Sequence, residues 1–171
     1  MLSRPVDDIS IPTDIWLLIS NSTPTQWASD VQSLFRNEGY TTSWTTLDQE
    51  PPKGKFIVSL LDLEGAPISS LPEDDYEVFR RYIEQAQECQ FLWVTQSTSH
   101  ACPDPMFGLI HGLARTLRSE LLLDLSILEL PRWNAGGAKA VIQVCKKIQR
   151  SRAHSLADSE YEYTLHEGEV K

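Results

Sequence analysis

Short, continuous apolar runs alternate with amphipathic stretches along most of this chain. Residues 15–20 (IWLLIS) form such a run, the pattern of a strand buried on both faces. Residues 25–38 follow, with Trp27, Val31, Leu34 and Phe35 on one helical stripe. Thr23 is placed to cap that helix ahead of Pro24, and Gly39 to stop it. Residues 41–47 (TTSWTTL) are β-branched and aromatic and predict a second strand; residues 56–63 (FIVSLLDL) predict a third. A second helix is expected over residues 72–87, with Asp74 and Asp75 suiting its N-terminal dipole and Tyr76, Phe79, Tyr82, Ile83 and Ala86 facing inward. A strand over residues 91–95 leads to a third helix over 105–122, whose apolar side carries Met106, Ile110, Leu113, Ala114, Leu117 and Leu121. A fifth strand over 125–130 precedes a last helix over 135–150, with Ala138, Val141, Ile142, Cys145 and Ile148 inward. Residues 161–170 read as a final edge strand or an extended tail.

Strands that alternate with helices predict an α/β fold: a mainly parallel, doubly wound sheet of five strands with helices on both faces, a truncated Rossmann-like domain. One link is irregular. Parallel neighbours need a crossover of about a dozen residues or more. The second and third strands are joined by only residues 48–55, with Pro51, Pro52 and Gly54 among them, so that link is not a helix. An extended path of that length spans at most roughly 26–29 Å, and strands lie about 4.8 Å apart. The link can therefore step over one strand, which gives the order 2-1-3-4-5 with one crossover helix deleted. Residues 1–13, polar with Pro5 and Pro12, read as a linker; residues 14–152 form the domain, and residues 153–171 a connecting segment.

Composition narrows the partners. The chain has 171 residues, enough for one domain with a core, and 15 basic against 24 acidic residues give a formal net charge of −9. Such a surface repels phosphate backbones and anionic lipid, so neither nucleic acid nor a membrane is an expected partner. Cys89, Cys102 and Cys145 are odd in number and widely spaced, which fits a reduced chain in the cytoplasm. The first residues carry no apolar run of the secretory kind, and no segment approaches the ~20 apolar residues needed to span a bilayer. No Cys/His spacing suits a metal.

Three stretches carry a family resemblance: Phe91–Gln96 (FLWVTQ), then Gly112–Glu120 (GLARTLRSE), then Leu125–Leu130 (LSILEL). Ser59–Gly65 (SLLDLEG) and Leu71–Phe79 (LPEDDYEVF) support it upstream, and Glu160–Tyr163 followed by Glu167 and Gly168 downstream. Together these residues resemble the truncated, non-catalytic half of a ketoreductase from a fungal highly reducing polyketide synthase. The resemblance implies a domain that binds no cofactor and braces the catalytic ketoreductase half, and also the enoylreductase. It implies NADPH and phosphopantetheine for the parent synthase. The family often has Thr-Arg-Gly after the fourth strand, where this chain has Thr95, Gln96 and Ser97.

The residues themselves agree with a loss of chemistry. A dinucleotide needs a tight glycine turn so that backbone N–H groups reach its pyrophosphate. After the first strand this chain offers Asn21, Ser22, Thr23, Pro24 and Thr25, with no glycine and one N–H removed by the proline. Reductases of this resemblance use a serine after the fourth strand and a tyrosine in the next helix. Ser97 or Ser99 could stand for the serine, but no tyrosine lies between Tyr82 and Tyr161, so the helix has no proton donor. A Cys102–His111 pair lacks the third, orienting group such sites require, and His154 and His166 lie in polar segments. No catalytic, cofactor-binding or metal-binding residue is therefore expected. Gly108 and Gly112 make a small-residue stripe on the third helix, flanked by Arg115 and Arg118, and these four are the candidates for inter-domain packing; packing within the domain is the favoured reading of the stripe. A small independent enzyme or nucleotide-binding protein with a degenerate site stays open as an alternative on sequence alone.

Overall fold

The computed structural model describes residues 11–98, 104–153 and 160–171. Most of the expected linker, together with Ser99, His100, Cys102 and His154, lies outside the described residues. The strands are β1 (Asp14–Leu18), β2 (Thr41–Thr45), β3 (Phe56–Ser59), β4 (Gln90–Gln96), β5 (Asp124–Leu130), β6 (Glu162–His166) and β7 (Glu169–Val170). The helices are α1 (Gln26–Asn37), α2 (Glu73–Gln85), α3 (Leu109–Glu120) and α4 (Ala135–Ala153). The sheet order is β2-β1-β3-β4-β5-β6-β7.

The expected order of the first five strands holds, and so does the helix-free link. Both β2 and β3 pair in parallel with β1, so residues 46–55 step over β1 without a helix. The count of five strands is corrected to seven. The C-terminal stretch is neither a tail nor a lone edge strand: β6 runs parallel beside β5, and β7 folds back against β6 as an antiparallel edge. The alternation that marks β6 is plain afterwards, since Tyr163 and Leu165 are buried between exposed or half-exposed neighbours.

Alternate residues of the inner strands feed two cores. Ile15, Leu17, Val58, Leu92, Val94 and Leu128 pack beneath α1 and α4, against Val31, Phe35, Val141, Val144 and Ile148. Leu18, Ile57, Phe91, Trp93, Leu125 and Ile127 face α2 and α3, against Phe79, Tyr82, Ile83, Ile110 and Ala114. Strands buried on both faces need such continuous apolar runs.

Several local expectations are corrected. The cap of α1 is Thr25, whose hydroxyl accepts from the Ala28 N–H; Thr23 lies in the preceding turn. The third strand ends at Ser59, and Leu61–Glu64 is a 3-10 turn. Gly39 ends α1 in the left-handed region at φ 89°, as its position predicts. Tyr76 and Met106 are exposed, at 51% and 47%, although both lie on stripes expected to face inward. Leu113 and Leu117 are half-buried against the second core.

Candidate functional site

In open α/β sheets ligands lie beyond the carboxyl ends of the strands, where the order of strands reverses. Here that point is β1, with β2 on one side and β3 on the other. Two loops meet there: the β1–α1 turn and the 3-10 turn after β3.

The two loops close on each other. Ser20 Oγ donates to Glu64 Oε2 at 2.6 Å, and Asn21 Nδ2 donates to the same oxygen at 2.7 Å. The polar groups that a phosphate would need are thus held by a carboxylate of the chain. The free N–H of Ala28, in the first turn of α1, is taken by Thr25 Oγ1. The cleft lined by Ile19, Asn21, Pro24, Leu60 and Glu64 has a volume of only about 10 Å³. A pyrophosphate brought here would meet a carboxylate and no glycine turn, although a larger groove of about 710 Å³ opens on the other side of Ser20 and Asn21. The residues do not fit a dinucleotide in the usual pose.

Asp62, two residues before Glu64, is the buried ionisable group of this edge. It is 2% exposed, and its carboxylate accepts from Trp93 Nε1 at 3.0 Å and from Thr95 Oγ1 at 2.6 Å. Burial pushes its pKa up to about 7, against the pull of those two donors. It ties the end of β3 to β4 and faces no free polar partner. The sequence quoted Asp62 and Glu64 only as part of a motif. Their roles depend on the 3-10 turn that replaces the end of the expected strand, and nothing in the spacing announces that turn.

At the carboxyl ends of β4 and β5, Ser97 N–H donates to Leu130 O at 2.9 Å, and the Ser97 hydroxyl bonds Glu129. His111 Nε2 approaches Glu129 Oε1 to 2.5 Å, and His111 Nδ1 lies 3.9 Å from Glu162. The histidine, helped less by the Ser97 hydroxyl, lowers the Glu129 pKa against the opposing effect of burial. Serine and histidine thus both meet the Glu129 carboxylate. Glu129 and Glu162 were not foreseen as partners of His111. Among the described residues no cluster of three or more metal-ligating side chains forms.

The four packing candidates separate. Gly108 lies against the loop after β4, where an added Cβ would sit 3.4 Å from Thr98 Cγ2. Gly112 is exposed, and a Cβ there would meet nothing within 4 Å. Arg115 is 67% exposed and pairs with Glu162 at 3.3 Å. Arg118 is engaged within the domain: it donates to Leu125 O at 3.0 Å and lies 4.9 Å above the Tyr161 ring. Arg152 covers the same ring and grips Asp124 at 2.7 Å. The outer side of α3 therefore shows Leu109, 45% exposed, then Gly112 and Thr116 at helical spacing, with Met106 before them.

The architecture defines the class: a Rossmann-like, mainly parallel sheet with helices on both faces. A family profile described as "HRPKS sdrA-like, NAD(P)-binding Rossmann-fold domain" matches residues 21–169. The chain belongs to that family. It is 34% identical over 170 residues to "Highly reducing polyketide synthase gloL" of Glarea lozoyensis, which covers 99% of this chain and 7% of that protein. It is 30% identical over 185 residues to "Squalestatin hexaketide synthase" of a Phoma species, again over 99% of the chain and 7% of the relative. "Lovastatin diketide synthase lovF" of Aspergillus terreus is 29% identical over 95% of the chain and 6% of its own length. The chain thus spans about 7% of the length of the first two of these relatives. Among the described residues no helix is long and apolar enough to cross a membrane.

Proposed function

We propose that this chain is a non-catalytic, structural ketoreductase subdomain of an iterative reducing polyketide synthase, and that it braces the catalytic ketoreductase half. The observation that carries this reading is the Ser20–Glu64–Asn21 contact, which sets a carboxylate where the family's cofactor would need donors. The domain alone takes no NADPH and reduces nothing; NADPH and phosphopantetheine belong to other parts of the parent enzyme. It works in the cytoplasm. The face offered to the catalytic half is the outer side of α3 with the start of α2. Exposed Leu109, Met106 and Tyr76 supply apolar contact, Gly112 lets a partner approach closely, and Arg115 stands at the rim. Arg118 holds α3 from within and presents that face. The enoylreductase is the second neighbour.

The test is a melting experiment in trans. Added to a separately produced catalytic ketoreductase half, the domain raises that partner's melting temperature, and Gly112→Trp weakens the effect while the domain keeps its own fold. An unchanged melting curve for the partner at high concentration of both would contradict the bracing role.

A further inference from the structure

The missing crossover helix leaves a groove that the bracing face does not explain. It has a volume of about 710 Å³ and opens beside the ends of β1 and β2. Its apolar wall is built by Leu47, Leu61, Ile68, Leu71, Val78 and Phe79, while Ser20, Asn21 and Gln49 give it a polar side at the strand ends. Asp48 stands on one side, in the link after β2, and Asp75 on the other, in the first turn of α2. No Lys, Arg or His lines it. A second groove of about 470 Å³ shares Ile68, Leu71 and Phe79 with the first and adds Glu73, again without a cation. An apolar wall edged by carboxylates, with no neutralising base, is complementary to apolar anchors flanked by positive charge.

We propose that this groove receives a peptide segment from elsewhere in the synthase, with apolar side chains seated on Ile68, Leu71 and Phe79 and flanking Lys or Arg residues set against Asp48 and Asp75. Phosphate-bearing ligands and anionic lipid are disfavoured by the same carboxylates. A second copy of this chain is a poor occupant. Its net charge of −9 would set like charge against Asp48 and Asp75.

The source of the segment rests on the reading of the chain as part of a synthase, but its chemistry can be tested on the chain by itself. Two probe peptides share a Leu-Trp-Leu-Leu core; one is flanked by lysine pairs, its twin by glutamate pairs. The lysine peptide is expected to bind saturably and to move amide resonances of Leu71, Val78 and Phe79. The glutamate twin is expected to bind about tenfold more weakly or not at all. Asp48→Lys, in a loop, lowers affinity for the lysine peptide severalfold; Asp75→Lys adds to this, and the melting curve of each variant reports whether it has folded. Equal affinity for the two peptides, resonance changes away from the groove, or no binding of the lysine peptide at about 1 mM would overturn the proposal. None of these outcomes bears on the melting experiment with the catalytic half, so the two readings fail separately.

Discussion

The two halves of the sheet are built to different standards. On one side, β4 and β5 pair along seven residues each, α3 and α4 make full helical crossovers, and β6 extends the sheet further. On the other, β1, β2 and β3 have five, five and four residues, and the link from β2 to β3 has no helix. The complete half carries the ring sandwich of Arg118, Tyr161 and Arg152, which ties α3 and α4 to the sheet. The reduced half carries the Ser20–Glu64–Asn21 contact and, beside it, the open groove. The Ser20–Glu64–Asn21 contact and the missing crossover helix thus fall in one region.

That contrast can be broken most sharply with matched isoleucines. Ile127 in β5 is fully buried, and Ile127→Ala should cost about 2–5 kcal/mol in urea unfolding. Ile68 lies half-exposed in the groove, and Ile68→Ala should cost less than about 1 kcal/mol. Similar losses at both sites would remove the distinction between the halves.

Asp62 gives a pH test at the seam between them. Its folded pKa of about 7 lies above its ordinary value of 3.8. The stabilising contribution of the protonated acid is therefore complete below about pH 4 and disappears as the pH rises through 7. Asp62→Asn should remove this dependence, so that the variant gains about 2–4 kcal/mol on the parent between pH 4 and pH 8. Parallel stability curves for the two proteins would show that the carboxylate is already ionised in the folded domain.

These seam residues also mark where sequence stopped being informative. The strand order was legible because a link with two prolines and too few residues for a helix permits only one kind of crossing. The two cores were legible because β1, β4 and β5 are apolar on both faces. Glu64 was not legible, because its role depends on a 3-10 turn that brings it back to Ser20 and Asn21 across more than forty residues of chain. The exposed Tyr76 and Met106 misled for a related reason: helical periodicity shows that a stripe exists, but not where a neighbouring element stops covering it. The last two strands were missed as a pair because an alternating segment of a few residues gives only a weak signal.

Smaller effects sharpen the picture of α3. Leu113 and Leu117 are half-buried, so replacing either with alanine should cost about 1–2 kcal/mol, less than a core site. Arg115→Ala should change stability by no more than about 0.5 kcal/mol, because its pair with Glu162 is exposed. A larger loss at Arg115 would place it in the domain's own framework and remove it from the docking face.

The most direct test of the central claim, a sheet retained without its cofactor chemistry, is calorimetric titration of the chain with NADPH. The Ser20–Glu64–Asn21 contact predicts no saturable heat and no rise in melting temperature up to millimolar cofactor, and no oxidation of NADPH with a β-ketoacyl thioester. Saturable binding in the micromolar range that is altered by Glu64→Gln would contradict it.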